Sequence, residues 1–167
     1  MPAITQHVLT ACKEPKNAAA RQSLMLAASQ AGMAFSNASV ALVHGMSRPI
    51  GAHFHVAHGL SNAMILPYVT KFSIDTSEAR YAKCARVMDW ADAHDSNASA
   101  CEKLVENLKI LNSDLKVPSP RSLSLIGDAN IFDLMATQAL ASGSPQNNPR
   151  IPTQAEIMQL YHDIWLD

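Results

Sequence analysis

Four of the seven histidines in this 167-residue chain lie within one short stretch, residues 41–69. They are His44, His53, His55 and His58. Imidazole can accept or donate a proton near neutral pH, and it is a common ligand of divalent metal ions. A segment interrupted by glycine and proline that gathers so many imidazoles therefore indicates a candidate site.

The spacing leaves several pairings open. His44 follows a small and apolar run and is predicted to end a buried helix, where its ring nitrogens need partners. His58 opens the next helix, and a loop of residues 45–57 could fold back to bring both imidazoles onto one ion. His55 and His58 are a rival pair if that bend is helical. His53 and His55 could instead line a pocket from one side of an extended turn. Each histidine could also be a hydrogen-bonded core or cap residue that binds no ligand.

Two imidazoles do not complete a metal site. Divalent iron or zinc needs at least three protein ligands, commonly including a carboxylate. The sequence nominates no such carboxylate, because Asp75, Glu78 and Asp89 lie beyond the helices that carry the candidate histidines. Three further histidines lie in polar or terminal stretches and have no predicted role: His7, His94 and His162.

The elements that must position these histidines are predicted to be helices. Apolar residues recur at helical spacing along the chain, and strand formers never alternate over a convincing length. The expected fold is all-α, an irregular helical bundle forming a single domain over residues 1–167. Residues 17–43 are predicted to form one helix with a deeply buried C-terminal part. Pro67 is expected to kink or end the helix that His58 opens.

Several helix starts are predicted from capping residues. Thr76 or Ser77 is expected to cap a surface helix. A capping box pairs Ser99 with the glutamate three residues later. A second box, Thr153 with Glu156, is expected to start the last helix.

Composition excludes several classes of function. The formal net charge is −1, so neither a nucleic acid nor an anionic membrane surface is an expected partner. No apolar run reaches about 18 residues, and the N-terminus does not resemble a signal peptide. Three widely spaced cysteines form no disulfide pattern, which favours the cytoplasm. No glycine-rich phosphate loop is found, so any nucleotide-binding half is expected to lie elsewhere.

Two segments carry a resemblance to a known family. The stretch FSNASVALVHGMSRPIGAHFHVAHGLSNAMILPYV, residues 35–69, closely resembles the metal-binding signature of the iron-containing (group III) alcohol dehydrogenases. The closing stretch NPRIPTQAEIMQLYHDIW, residues 148–165, is similar to the end of the same family. The spacing of His-Gly-Met, Gly-Ala and His-Gly-Leu in the first segment is highly specific.

The resemblance implies a helical domain of the dehydroquinate synthase type that holds a divalent metal, iron with zinc as the alternative. Family members bind that metal through one aspartate and three histidines, of which the last two match His44 and His58. The remaining two ligands belong to an Asp-x-x-x-His helix preceding the segment that matches residues 1–20. In many members the position of Arg48 is a histidine near the nicotinamide. Arginine cannot relay a proton, although it can pair with a carboxylate or phosphate. His53 matches a cleft position more weakly.

The resemblance also implies chemistry and partners. A metal-bound alcohol loses its hydroxyl proton more readily, and NAD(P), held mainly by an N-terminal domain expected to be absent from this chain, accepts the hydride. The expected substrate is a small alcohol or aldehyde. The chain is expected to be truncated and inactive alone, and to form a homo-oligomer or bind a nucleotide-domain partner through exposed apolar surface. The alternatives are a non-catalytic helical module and one subunit of a split enzyme.

Overall fold

The computed structural model describes residues 1–166, and within them every regular element is a helix. The predicted all-α fold is therefore confirmed. Seven α-helices and one short 3₁₀ helix, Ser144–Asn147, follow one another along these residues. The α-helices are α1 Pro2–Lys13, α2 Ala18–Ala38, α3 Leu42–Phe54, α4 His58–Val87, α5 Asn97–Asp114, α6 Ala129–Ala141 and α7 Gln154–Leu166.

The chain divides into two compact units. The first unit consists of Met1–Ser39 and Glu78–Leu115, and the second of Val40–Ser77 with residues 116–166. Helix α4 contributes to both, and its backbone leaves helical geometry at Ser77, with φ −146° and ψ 32°. That break falls at one of the two residues predicted to cap a new helix. The single-domain interpretation of the chain stays a prediction.

In the first unit, α1 packs against α2. Helix α2 begins at the N-cap Asn17, whose side chain accepts a hydrogen bond from the Ala20 N–H. Its apolar side chains are largely exposed, including Met33 at 62% and Phe35 at 53% of their maximal areas. The prediction that the end of this helix is deeply buried was therefore wrong. Small residues on several faces allow a helix to pack closely against its neighbours, but they do not show that neighbours are present.

The second unit contains the main core, built around the apolar face of α3. Leu42, Met46 and Ile50 recur every four residues on one face of that helix, and all three are fully buried. They pack with α4, α6 and α7 in one continuous cluster. The members from these other helices are Ile65, Val69, Phe132, Met135, Ala136, Ala139, Ile157, Leu160, Tyr161, Ile164 and Trp165.

Two prolines lie inside helices of this unit without ending them. Helix α3 continues through Pro49, and α4 continues through Pro67 with its only non-helical backbone at Ser77. The expected end of the helix at Pro67 was wrong, whereas the kink expected there stays a prediction. The ring of Pro67 is fully buried, so we attribute the continuity of the helix to apolar burial that offsets the missing backbone hydrogen bond.

The predicted capping boxes had different outcomes. At the start of α7, the Glu156 N–H donates to the Thr153 hydroxyl, and the Thr153 N–H donates to the Glu156 carboxylate, so this box is confirmed. Helix α5 begins one turn earlier than expected. Its N-cap is Ser96, which accepts from the Ser99 N–H, so the box predicted at Ser99 was wrong.

A polar network fastens the loop before α7 to α4. The buried Asn148 amide donates to the Ser73 hydroxyl at 2.9 Å. The Arg150 guanidinium pairs with Asp75 at 3.0 Å and with Glu156 at 2.7 Å. It also lies 4.1 Å from the centroid of the Phe72 ring. These contacts explain why the closing segment needs an asparagine and an arginine here.

No single described helix is both long and apolar enough to cross a membrane. Helices Ala18–Ala38 and Leu42–Phe54 together reach the length and apolar composition of a membrane span, but only as a bent pair.

The core cluster generates a prediction about stability. Met135→Ala removes a fully buried side chain of α6 and should lower the free energy of unfolding by about 2–5 kcal/mol. Leu134→Ala is the matched control, because Leu134 is the neighbouring residue on the same helix and is 45% exposed, so its truncation should change stability by about 0.5 kcal/mol or less. Urea denaturation followed by circular dichroism measures both. Equal losses in the two variants would contradict the described core.

The confirmed capping box predicts a pH dependence. Hydrogen bonds from the Thr153 backbone and hydroxyl, with the Arg150 guanidinium, hold the pKa of Glu156 below its ordinary value. A carboxyl whose pKa is lower in the folded state stabilises the fold above its unfolded pKa, and this contribution is lost as pH falls through the folded pKa. Glu156→Gln should therefore unfold at lower urea than the wild-type chain at pH 7, and the difference should vanish on acidification. Glu102→Gln, at an exposed position of α5, is the control substitution and should change the urea midpoint little.

Candidate functional site

The candidate site lies where α3 begins and α4 begins, both within the second unit. His44 was predicted to end a long helix, but α2 ends at Ala38 and His44 lies in the first turn of α3. Ser39, with φ 65°, and an extended residue at Ala41 separate the two helices. That prediction was wrong because small and apolar residues continue across the break between α2 and α3, so the residue pattern does not mark where one helix ends.

Most of the segment predicted to be a loop, residues 45–57, is helical. Helix α3 runs to Phe54, and His55 ends it in the left-handed conformation with φ 56°. The chain then turns back along α3, since the Val56 carbonyl oxygen lies 3.3 Å from the place that a Cβ would take at Gly51. Residues 55–57 are not helical, and α4 begins directly after them at His58.

This reversal brings the two imidazoles together. The ring centroids of His44 and His58 lie 5.2 Å apart, with an angle of 56° between the ring planes. His44 is half-buried and His58 is exposed. Burial lowers the pKa of His44, and the nearby charges of His58 and Arg48 lower it further. These effects favour the neutral form of His44, which is the form that binds a metal.

An asparagine that the sequence reasoning missed stands beside this pair. Asn62 Nδ2 lies 3.1 Å from His58 Nε2, one helical turn further along α4. The Asn62 Oδ1 atom is buried and has no hydrogen-bond partner. Such an atom is costly unless something satisfies it. The spacing of four residues from His58 on a helix was the available signal.

The other candidate residues have separate positions. His53 Nε2 lies 2.9 Å from Gln138 Oε1 of α6, so the structure joins it to a neighbouring helix. His53 lies inside α3, so the extended turn that was predicted to carry His53 and His55 is not formed. Residues 55–57 are not helical, so the shared face proposed for His55 and His58 is not formed either.

Arg48 projects one turn beyond His44 on α3. Its Nη1 atom donates to the Ser144 hydroxyl at 3.1 Å. Ser144 begins the 3₁₀ helix and is buried. Nothing in the sequence signals this contact, because the two residues are 96 positions apart.

Within residues 1–166, no cluster of three or more histidine, cysteine, aspartate or glutamate side chains could hold a metal ion. The described site therefore offers two imidazoles and one unpaired amide oxygen.

Comparison with known proteins defines the class. The C-terminal model of the Fe-containing alcohol dehydrogenase family matches residues 1–165 of this helical chain. The chain belongs to this family.

Individual relatives are consistent with the match. The chain is 32% identical to the NADPH-dependent butanol dehydrogenase of Clostridium saccharobutylicum, over 97% of this chain and 42% of that protein. It is 36% identical to the lactaldehyde reductase of Escherichia coli (strain K12), over 81% of this chain and 35% of that protein. A crystal structure of 1,3-propanediol oxidoreductase superposes with a TM-score of 0.92 at 29% identity, covering 98% of this chain and 42% of that one. The chain thus spans less than half the length of these relatives.

Gly45, the residue after His44, packs closely against Pro145, and this contact predicts how a substitution changes stability. A Cβ added at Gly45 would lie 3.0 Å from two atoms of the buried Pro145 ring, so in Gly45→Ala the tightly packed ring or α3 must shift by a few tenths of an ångström. We expect a loss of about 1–3 kcal/mol in the free energy of unfolding. A Cβ at Gly59 meets nothing within 4 Å, so Gly59→Ala should be neutral or stabilising by up to about 1 kcal/mol. Urea denaturation of both variants tests the expected difference in sign.

Proposed function

We propose that this chain is the metal-holding helical part of a metal-dependent, NAD(P)-linked alcohol dehydrogenase. The reaction would interconvert an alcohol with an aldehyde or ketone. The observation that carries the proposal is the pair of facing imidazoles, His44 and His58, with ring centroids 5.2 Å apart. Membership in the Fe-containing alcohol dehydrogenase family supports it.

The donor set fits a divalent transition metal. With metal–nitrogen bonds of about 2.1 Å, two imidazoles on a tetrahedral ion have ring centroids roughly 5 Å apart, close to the observed spacing. Imidazole suits both Fe²⁺ and Zn²⁺. The lowered pKa of His44 favours its neutral ring, which keeps a lone pair available for coordination.

A bound metal would supply a Lewis acid that stabilises the alkoxide form of the substrate. The residues of this chain would position the metal and the substrate. His44 and His58 would anchor the site from two helices that the core holds rigidly. Arg48, with His53 more weakly, would line the cleft that holds the nicotinamide and substrate.

The remaining ligands would come from outside residues 1–166. In the family that this chain belongs to, we expect an Asp-x-x-x-His helix to supply them, and a nucleotide-binding domain to supply most contacts with NAD(P). We propose that these parts meet this chain either on one polypeptide or as a partner subunit. Two imidazoles alone should bind metal weakly.

Metal binding tests the proposal directly. Co²⁺ or Zn²⁺ titrated into the chain should shift the ring resonances of His44 and His58 in histidine-selective NMR spectra. His44→Ala and His58→Ala should each weaken binding by roughly tenfold or more, because each removes one of two anchoring ligands. His94→Ala, at an exposed position, is the control and should leave the titration unchanged.

Two results would count against this proposal. Either the wild-type rings fail to respond at millimolar metal, or the His94 variant loses as much binding as the other two. The non-catalytic helical module would then be the better interpretation.

A further inference from the structure

Arg48 carries a permanent positive charge next to the histidine pair. It follows His44 by four residues on α3, so the two side chains leave the same helix face about one turn, or roughly 5.4 Å, apart. The charge of Arg48 contributes to the lowered pKa of His44, which agrees with this proximity.

The guanidinium of Arg48 is held by a neutral group. Its Nη1 atom donates to the buried Ser144 hydroxyl, and no ion pair with an acidic side chain is found for it among residues 1–166. Arg150 of the same unit differs, because it is paired with both Asp75 and Glu156. A guanidinium has five N–H donors in a planar fork that matches a carboxylate. Arg48 is exposed and is bonded to Ser144 through Nη1, so its other N–H groups remain available to an anion.

We propose that Arg48 binds the carboxylate of the substrate, so that this site prefers short hydroxy acids and their carbonyl counterparts over neutral alcohols. This inference rests on the proposed function and names its substrate class. A hydroxy acid of roughly three or four carbons covers one helical turn between its hydroxyl oxygen and its carboxylate. The hydroxyl would then lie at the histidine pair while the carboxylate lies at Arg48.

The reaction balances without any further reagent. The carbinol C–H gives a hydride to NAD(P)⁺, the hydroxyl loses its proton to solvent, and a C=O bond forms. The carboxylate is unchanged and serves only to orient the substrate. The short distance along α3 favours an anion on the reacting molecule over a cofactor phosphate held elsewhere.

The test follows the Arg48 Nε–H resonance and the histidine rings by NMR in the whole chain. The probes are 3-hydroxypropanoate, its neutral analogue 1,3-propanediol, and inorganic phosphate, each with and without Zn²⁺. We expect 3-hydroxypropanoate to shift Arg48 in both conditions. With Zn²⁺ it should perturb the rings of His44 and His58 at concentrations roughly tenfold below those of the diol.

Two matched variants test whether the preference for the hydroxy acid depends on the Arg48 side chain. Arg48→Gln should abolish the advantage of the hydroxy acid over the diol. Arg121→Gln makes the same substitution at an exposed position of the second unit and should preserve that advantage. Far-UV circular dichroism checks that both variants fold.

The outcomes separate the two proposals. If Zn²⁺ binds but the acid and the diol perturb the rings equally, the substrate class is wrong and the metal proposal stands. If Zn²⁺ does not bind, the metal proposal fails, and the Arg48 resonance still decides whether the anion site exists. If phosphate shifts Arg48 and 3-hydroxypropanoate does not, Arg48 serves a phosphate, and the proposal of a carboxylate substrate is overturned.

Discussion

Burial of the apolar face of α3 is the constraint on which the second unit depends. Leu42, Met46 and Ile50 are inaccessible to solvent, and they can be so only if α6 and α7 lie against them. The Tyr161 hydroxyl completes this arrangement by donating to the Met46 carbonyl oxygen at 2.7 Å. Burial raises the pKa of Tyr161, which keeps that hydroxyl protonated as a donor. Because one face of α3 is fixed in the core, its other residues project in defined directions.

The candidate site is a consequence of that fixed helix. His44 and Arg48 lie a turn apart on α3, and the close return of the backbone over Gly51 brings His58 beside His44. Two imidazoles and a guanidinium so close together disfavour additional positive charge, and burial adds to this for His44. The neutral form of His44 that results is the one needed for coordination. Packing and electrostatics therefore favour the same protonation state.

Polar contacts over long sequence distances connect this site to the C-terminal segment. Ser144 holds Arg48, and Asn147 Nδ2 donates to the Val40 carbonyl oxygen just before α3. The following Asn148 and Arg150 fasten the same segment to α4. The Tyr161 hydroxyl on the Met46 carbonyl and the shared core cluster bring the two stretches that carry the family resemblance into contact, which gives a physical reason for finding both in one chain.

The amino-acid sequence by itself determined the helical class, the capping box of Thr153 and Glu156, and the pair His44 and His58 as candidates. Helical periodicity and capping depend on residues three or four apart, so they can be read locally. The break between α2 and α3, the helix through Pro67 and the contacts of Arg48 were decided only by the tertiary structure. These features depend on which surfaces bury one another and on partners up to 96 positions away, and a local pattern does not contain that information.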